Sequence, residues 1–536
     1  MLLDLLEDSA SRVGDLLFIG DSGEREQVPV SKLWAECEQI SAWLNGNVGR
    51  SGRVAAVLTA SRAAVGTLLA ALRSGITLGS LPLPARGMSP DEYRVQIEDL
   101  CRRLSCDLLL VDAAYLPLIP ELSIRVASFE ECVAGAVGRA DISSPGQFVQ
   151  FTSGSTGNPK GIVLSMDALG ASVSSTLDVI EPSSNYRTFS WLPLSHDMGL
   201  VGMLLTPLCA AAFPWKAENL TIGLMKPESF LRHPEWWIET ISDLGITVTS
   251  VPTFALELAC RTAHRLTSPD LSSLRVCVTG GERVRAEVLA RFEATFGEAG
   301  LDPHVLAPAY GLAEASLAVT MVRPHERWMS RTVDLESLAE TKWIERPPGP
   351  GAIELVGCGQ PLKRTQVHID GPVLGEIQVR GDSMMSGYMG MATDSSPEAW
   401  ISTRDFGALV DDQLFVVGRT DDMFAVSGQN YFAHELEAVA AAAHSVVRPG
   451  AVGVVESEGA YLVVAEASSP PGDDEMREAA QSIRLSLVRR FGRGPRSVIF
   501  IARGQLPKTP SGKIRRLRLQ ATLDALDVIG RIDFKA

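Results

Sequence analysis

Short, continuously apolar runs alternate with amphipathic helical segments through most of this 536-residue chain. Runs of this kind are typical of strands that are buried on both faces, and the clearest are Val54–Leu58, Leu108–Val111, Thr247–Val251 and Val276–Thr279. After the last of them, residues 284–299 carry valine, leucine and phenylalanine side chains at helical spacing on one face. The alternation predicts an α/β fold in which parallel strands are covered by helices.

The pattern of the sequence changes after Gly418. The later residues predict a compact α+β unit of the size of a separate domain. Its expected elements are a helix at 435–443, strands at 451–456 and 461–466, a helix at 474–491 and a strand near 498–501. We therefore expect a large N-terminal α/β body over residues 1–418 and a small C-terminal domain over residues 419–536.

Composition limits the classes of function. The net charge of −15 argues against a nucleic-acid partner, because a nucleic-acid-binding face needs dense positive charge. Eight cysteines without a CxxC spacing indicate buried thiols in a reducing compartment. The acidic start, Met1–Asp8, lacks the basic region of a signal peptide. The apolar stretch Val201–Trp215 is interrupted by prolines and is too short to span a membrane. We expect a cytoplasmic protein with no membrane span.

A loop rich in glycine and hydroxyl side chains lies between the apolar runs Phe148–Phe151 and Ile162–Leu164. Its glycines allow the backbone to curl, so that hydroxyls and backbone N–H groups can surround an anion beside a lysine. The residues expected to form this phosphate cradle are Thr152, Ser153, Gly154, Ser155, Thr156, Gly157 and Lys160. The loop is not a Walker loop, since no Gly-Lys-Ser/Thr opens a helix here. A Ser/Gly-rich surface loop is the alternative.

Five further motifs follow along the chain, at residues 190–199, 279–282, 309–314, 402–407 with 418–422, and 506–516. With the phosphate loop, they resemble in order and spacing the core motifs of the adenylate-forming superfamily of acyl-CoA synthetases, luciferases and nonribosomal adenylation domains. Within it, the strings at 191–200, 310–315 and 356–361 resemble those of the fatty acyl-AMP ligases. The long connection over residues 315–356 is similar to an inserted segment that this group associates with carrier proteins as acceptors.

The resemblance implies an enzyme that uses ATP and Mg2+ to convert a carboxylic acid, fatty or related, into acyl-AMP. Because the acid and ATP are both anions, such a site must supply positive charge and oriented donors. In the family, the lysine that matches Lys513 bridges the carboxylate and the α-phosphate, and the counterpart of Glu314 binds Mg2+. Tyr310 would stack on adenine, with simple core packing as its alternative, and Asp405 would accept both ribose hydroxyls. The remaining nucleotide-binding candidates are Gly280, Gly281, Glu282, Ala309, Gly311 and Arg419.

The resemblance also implies an acyl pocket and a hinge. The pocket candidates are His196, Met198, Gly202, Thr253 and Phe254. His196 and Lys513 are the two catalytic candidates. His196 is not expected to act as a general base, because a carboxylic acid is already ionised at neutral pH. The alternative for His196 is a structural role. The small domain is expected to be mobile and to swing about Asp421 after adenylation.

The acceptor of the acyl group stays open between the phosphopantetheine thiol of an acyl carrier protein and free CoA. Residues 484–518 hold eleven basic and no acidic side chains, which favours docking of an acidic carrier protein. A solvated basic face that also serves the nucleotide phosphates is an equal alternative. A third possibility, a silent nucleotide- or acyl-binding relative, conflicts with the presence of Lys513, Glu314 and Asp405.

Overall fold

The computed structural model describes most of the chain. The described residues are 1–10, 14–49, 51–84, 88–119, 121–136, 138, 146–152, 159–213, 219–349, 351–391, 398–426, 429–508 and 514–534.

The described helices and strands are listed here in chain order. The α-helices are α1 (Leu2–Ala10), α2 (Val30–Val48), α3 (Arg62–Arg73), α4 (Pro90–Leu104), α5 (Phe129–Ala134), α6 (Met166–Ile180), α7 (Thr206–Cys209), α8 (Pro227–Arg232), α9 (Glu235–Leu244), α10 (Thr253–Thr262), α11 (Ala286–Phe296), α12 (Leu335–Ala339), α13 (Ala433–Ala442), α14 (Asp473–Phe491) and α15 (Arg516–Ala521). The strands are β1 (Gly14–Ile19), β2 (Arg25–Pro29), β3 (Arg53–Ala56), β4 (Thr77–Ser80), β5 (Leu108–Val111), β6 (Arg125–Ser128), β7 (Gln147–Thr152), β8 (Lys160–Ser165), β9 (Asn185–Ser190), β10 (Asn219–Met225), β11 (Val248–Val251), β12 (Val276–Thr279), β13 (Leu306–Gly311), β14 (Ala318–Met321), β15 (Ser330–Asp334), β16 (Ala352–Val356), β17 (Gln360–Pro361), β18 (Thr365–Asp370), β19 (Leu374–Gly381), β20 (Gly387–Tyr388), β21 (Ile401–Val410), β22 (Gln413–Arg419), β23 (Met423–Val426), β24 (Gln429–Phe432), β25 (Val447–Ser457), β26 (Ala460–Ala467), β27 (Ser497–Ile501) and β28 (Val528–Asp533).

Two large sheets with mainly parallel centres form the N-terminal body. In one, the order is β17-β14-β13-β12-β11-β9-β10-β1-β2, and the strands from β13 to β1 pair in parallel. In the other, the order is β20-β8-β7-β4-β3-β5-β6, with β7, β4, β3, β5 and β6 parallel. The predicted α/β body of parallel strands and covering helices is confirmed.

A third sheet and the long connection complete the body. Strands β18, β19, β21 and β22 form an antiparallel sheet. The connection 315–356 is not one irregular loop, because it contains β14, the antiparallel pair β15–β16 and α12. Val333 and Leu338 from this connection are buried in the same core as Phe406 and Phe432. The connection therefore contributes to packing between the third sheet and the residues that precede α13.

The C-terminal lobe has its own core. Strands β25, β26, β27 and β28 form one sheet, which mixes antiparallel pairs with the parallel pair β26–β27. Helices α13 and α14 pack on it through residues that include Leu436, Ile483 and Leu487. The predicted small α+β unit is present, and the placement of its boundary at 418/419 stays a prediction.

Element bounds differ modestly from the sequence-based expectations. Strands β5 and β12 match their predicted ranges, whereas β3 begins one residue and ends two residues before the predicted run Val54–Leu58. The helix expected at 284–299 ends as α11 at Phe296, and a 3₁₀ turn completes it over Gly297–Ala299.

All eight cysteines are free thiols, and seven of them are buried. In the described part of the chain, every helix is too short or too polar to cross a bilayer.

Candidate active site

The flanks of the phosphate loop are two antiparallel strands. Thr152, the last residue of β7, pairs with Lys160, the first residue of β8. The other cradle candidates, Ser153, Gly154, Ser155, Thr156 and Gly157, lie outside the described residues. The Lys160 Nζ lies 4.8 Å from the centroid of the Tyr388 ring, a distance typical of a cation–π contact.

Tyr388 links this lysine to the proposed metal ligand. It lies in β20, which pairs with β8, and its hydroxyl donates a 3.0 Å hydrogen bond to Glu314 Oε1. Burial and the negative charge of Glu314 raise the pKa of Tyr388, so the hydroxyl stays a donor. The sequence motifs did not identify Tyr388, which is separated from Glu314 by 74 positions.

A second hydrogen-bonded group joins Tyr310 to Asp405. The Tyr310 hydroxyl donates a 2.6 Å hydrogen bond to Asp405 Oδ2, and Arg419 Nε lies 3.5 Å from Asp405 Oδ1. Burial, with the charge of Asp405, raises the pKa of Tyr310 well above its ordinary value. The Arg419 Nε is screened from solvent and makes no hydrogen bond, so it remains available to a ligand oxygen.

The two groups lie in one neighbourhood. Tyr310 and Glu314 belong to one short segment, where β13 ends and a single 3₁₀ turn follows. The charge of Glu314 also acts on Tyr310, and that of Arg419 acts on Tyr388. The contacts thus run from Lys160, at the exit of the phosphate loop, to Arg419, at the end of β22.

Glycines permit close backbone approaches beside this neighbourhood. A Cβ on Gly280 would lie 2.6 Å from the carbonyl oxygen of Ala309, and one on Gly311 would lie 2.0 Å from that of Leu317. Gly281 adopts a φ of +75°, which disfavours other residues. Glycine at these positions therefore lets the backbone at the ends of β12 and β13 pack closely against neighbouring backbone, and the role of these residues in adenine binding stays a prediction.

The residue after the two glycines connects this surface to the expected acyl pocket. Glu282 Oε1 accepts a 2.7 Å hydrogen bond from the Phe254 backbone N–H, and the Thr253 hydroxyl donates one of 3.3 Å to the Arg283 carbonyl. These hydrogen bonds hold the start of α10 against the loop after β12, although Phe254 and Glu282 are 28 positions apart in the sequence.

The other pocket candidates, His196, Met198 and Gly202, lie just before or within an unusual helix. Residues Met198–Leu205 form a π-helix, a rare form that is frequent at functional sites. His196 Nδ1 lies 2.5 Å from Asp197 Oδ1, and 42% of the histidine side chain is exposed. The Met198 Sδ lies 3.6 Å from the Cβ position of Gly281, and a Leu317 methyl lies 3.3 Å from that of Gly202. The structure thus brings Met198 beside the expected nucleotide surface, and the role of His196 stays a prediction.

An aromatic cluster that the sequence motifs did not assign to the pocket lies behind Phe254. The rings of Trp191 and Phe230 stack with centroids 3.7 Å apart, and Phe254 meets Trp191 edge-on at 6.0 Å. Stacked and edge-on contacts of this kind are favourable arrangements for aromatic rings. Trp191 and Phe230 belong to a buried core against which Phe254 packs, and the acyl pocket itself stays a prediction.

The catalytic candidate of the small lobe, Lys513, lies outside the described residues. A bridge between Lys508 and Ile514 joins the chain on either side of it. The backbone of Asp421 lies in a single 3₁₀ turn, Thr420–Asp422. The next residue, Asp422, forms an ion pair with Arg516, in which Oδ1 and Nη1 are 2.5 Å apart. The predicted hinge segment is therefore tied to the start of α15.

Two ion pairs join the small lobe to the body. Arg283, the residue after Glu282, pairs with Glu435 in the first turn of α13, and Arg518 pairs with Glu92 in α4. Burial lowers the pKa of Arg283 to about 10, and the nearby positive charge of Arg490 adds to this effect.

The side chains described above are compatible with binding of Mg2+ together with a nucleoside triphosphate. Among the described residues there is no group of three or more His, Cys, Asp or Glu side chains that could hold a metal. Mg2+ bound with a substrate usually takes one or two protein carboxylates, because phosphate oxygens and water supply its other ligands. Glu314 fits that role, since Tyr388 occupies only its Oε1.

Comparisons with known proteins agree on one family. A family model described as AMP-binding enzyme matches residues 6–389. The long-chain-fatty-acid–AMP ligase FadD32 of Mycolicibacterium smegmatis is 28% identical over an alignment that covers 70% of this chain and 68% of the relative. The medium-chain-fatty-acid–[acyl-carrier-protein] ligase JamA of Moorena producens is 28% identical and is covered over 98% of its length, with 100% of this chain.

The fold is similar to solved structures as well. One, from a study of fatty acyl-adenylate ligases of E. coli and L. pneumophila, superimposes with a TM-score of 0.87 at 25% identity and covers 98% of both chains. This extent of coverage includes the small C-terminal lobe as well as the body.

Proposed function

This chain belongs to the AMP-binding enzyme family and is a ligase, and from that premise we propose that it activates a fatty or related carboxylic acid with ATP. The product of the first step is acyl-AMP, and the second step transfers the acyl group to the phosphopantetheine thiol of an acyl carrier protein. The series of contacts from Lys160 through Tyr388 and Glu314, beside Tyr310, Asp405 and Arg419, is the observation that supports this proposal most strongly.

In the first step, a carboxylate oxygen attacks the α-phosphorus of ATP. A bond forms between that oxygen and the phosphorus, the bond to the β-phosphate oxygen breaks, and pyrophosphate leaves. The reactants and the transition state are rich in negative charge, so positioned cations and donors lower the barrier. The proposed cations are Lys160 beside Tyr388, Lys513 of the small lobe, and Arg419.

Each described side chain has one role in this proposal. Asp405, held by the Tyr310 hydroxyl, accepts hydrogen bonds from the ribose. Gly280 and Gly281, which pack beside Ala309 and Met198, are proposed to line the adenine ring. Glu314 would hold Mg2+, which neutralises phosphate charge when it is bound.

The acyl chain is proposed to enter the apolar pocket behind Met198 and Phe254. The hydrogen bond from the Phe254 backbone to Glu282 keeps this pocket in register with the nucleotide surface. Correct relative placement of two reactants supplies much of the rate enhancement in a two-substrate reaction.

In the second step, the thiol sulfur attacks the acyl carbon, the bond from that carbon to the phosphate oxygen breaks, and AMP leaves while the thiol proton passes to solvent. Access for the thiol is proposed to require a swing of the lobe about Asp421. Two observations support a carrier protein rather than CoA as acceptor. JamA is named as an acyl-carrier-protein ligase, and the connection 315–356 is similar to the inserted segment that the fatty acyl-AMP ligases associate with carrier proteins.

A panel experiment tests both the reaction and the acceptor. Purified protein is mixed with ATP, Mg2+ and one acid at a time, first alone, then with CoA, and then with a holo carrier protein. We expect acid-dependent AMP and pyrophosphate release and a mass increase of the carrier by one acyl group. Loading of CoA without loading of any carrier would overturn the acceptor, and no acid-dependent AMP release with any member of the panel would overturn the reaction.

A further inference from the structure

Helix α14 of the small lobe has two apolar residues on the face that points to solvent. Its buried face includes Met476, Ile483 and Leu487. Leu485 and Val488 lie on the opposite face, with 44% and 39% of their surface exposed. The solvent face of an amphipathic helix usually carries polar residues, so the exposed apolar surface of Leu485 and Val488 is an exception, although one Val488 methyl also lies 3.1 Å from the Cβ position of Gly494.

Unpaired arginines lie beside these apolar residues. Arg489 follows Leu485 by four positions, so both lie on one side of the helix, and Arg493 lies just beyond its end. Both arginines are exposed, and no acidic side chain pairs with either in the described part of the chain. Other basic residues of the 484–518 strip are already paired, including Arg496 with Glu458 and Arg516 with Glu437.

The lobe that carries this face contacts the body beside the expected nucleotide-binding motif. Arg490, the neighbour of Arg489, is half-buried, and its charge acts on Arg283, which directly follows the Gly280–Glu282 motif. Because Arg490 is half-buried, we exclude it from the exposed face. Helix α13 shares a core with α14 and pairs through Glu435 with Arg283, so the lobe that carries this face adjoins the loop of the Gly280–Glu282 motif.

We propose that Leu485, Val488, Arg489 and Arg493 form a docking face for the carrier protein, with an acidic, amphipathic helix of the carrier as its occupant. This inference rests on the proposed function. Apolar anchors beside positive charges complement such a helix, and the opposite charges would speed encounter and fix orientation. The acidic character of this chain as a whole, with a net charge of −15, makes an exposed basic and apolar face a local exception.

The test separates docking from chemistry by using two thiols with the same enzyme. KM is measured for holo carrier protein and for free pantetheine, together with acid-dependent pyrophosphate release. The test variants are Val488→Ser, Arg489→Glu and the double variant Arg489→Glu/Arg493→Glu. We expect the double variant to raise the carrier KM about tenfold or more, to weaken its salt dependence, and to leave pantetheine transfer and pyrophosphate release unchanged.

Matched controls come from elsewhere on the body. Val95→Ser changes an exposed valine on α4, and Arg275→Glu changes an exposed arginine that precedes β12, at the end of that strand opposite Gly280. Neither control should alter the carrier KM. Equal effects of test and control variants would overturn the docking face.

The remaining outcomes distinguish the two proposals. If the wild-type protein loads the carrier and the three variants load it with an unchanged KM, the docking face is wrong and the proposed function stands. If the wild-type protein loads CoA alone, the proposed acceptor is wrong and the docking face falls with it. A change in the sedimentation of the protein alone, without a change in carrier KM, would assign this face to a second copy of the chain and overturn the proposal.

Discussion

Replacing Tyr310 with phenylalanine removes one hydroxyl from the centre of the proposed nucleotide site. That hydroxyl donates a 2.6 Å hydrogen bond to Asp405 Oδ2. The Tyr310 ring is only 8% exposed and phenylalanine fills nearly the same volume, so the change deletes the bond with little repacking. Asp405 keeps its 3.5 Å contact with Arg419 Nε, so the change acts on the Tyr310 hydrogen bond and not on this ion pair.

The expected magnitude follows from the charge on the acceptor. A hydrogen bond to a charged group contributes about 1.5–3 kcal/mol. If this hydrogen bond holds Asp405 in the orientation that binds the ribose, its loss lowers the affinity for ATP. Since each 1.4 kcal/mol corresponds to tenfold in affinity, Tyr310→Phe should raise the KM for ATP by roughly ten- to a hundredfold.

The assay is acid-dependent pyrophosphate release at saturating acid, with ATP varied and then replaced by 2′-deoxy-ATP. Wild-type protein should discriminate between the two nucleotides, and Tyr310→Phe should discriminate less. Tyr93→Phe is the matched control, because it deletes a tyrosine hydroxyl that donates to a neutral carbonyl, that of Pro82. An ATP KM for Tyr310→Phe that equals the wild-type value would refute the role of this bond.

Three other predictions follow from the same site. Asp421→Pro should spare acyl-AMP formation but suppress transfer, because proline restricts the backbone of the proposed hinge; equal loss of both steps, measured separately, would count against the hinge. Glu314→Gln should shift the magnesium dependence of pyrophosphate release to higher concentration, since a carboxylate ligand is lost; an unchanged magnesium titration would exclude Glu314 as a ligand. Glu435→Gln removes the cross-lobe ionic partner of Arg283, although the charge of Glu287 still acts on it. The expected cost is about 1–3 kcal/mol, so amides of α13 should exchange hydrogen faster, and unchanged exchange would show that this pair does not hold the lobe to the body.

The elements that the sequence predicted best are those with the simplest pattern. Strand β12 matches the expected range Val276–Thr279, because a continuous apolar run follows a polar residue and a Gly-Gly pair ends it. Strand β28 escaped prediction because its sequence, Val528–Asp533, mixes apolar residues with glycine and charged residues and is stabilised by pairing with β27. The π-helix Met198–Leu205 was not expected either, since an apolar run does not reveal an altered hydrogen-bond pattern.

Within the site, motifs identified residues but not their partners. The sequence marked Tyr310 and Asp405 separately, and their hydrogen bond joins positions 95 residues apart. Tyr388 belonged to no motif, and only the pairing of β20 with β8 brings it between Lys160 and Glu314. Likewise, the basic strip was visible in sequence, but only the fold separates the paired Arg516 from the exposed Arg489.

The central claim is that a carboxylic acid and ATP react at this site to give acyl-AMP with the help of Lys513. The most direct measurement is exchange of labelled pyrophosphate into ATP, with and without acid, for the wild-type protein and for Lys513→Ala. We predict exchange that requires the acid in the wild type and is lost in the variant. Exchange without any acid, or equal exchange in the two proteins, would contradict the claim.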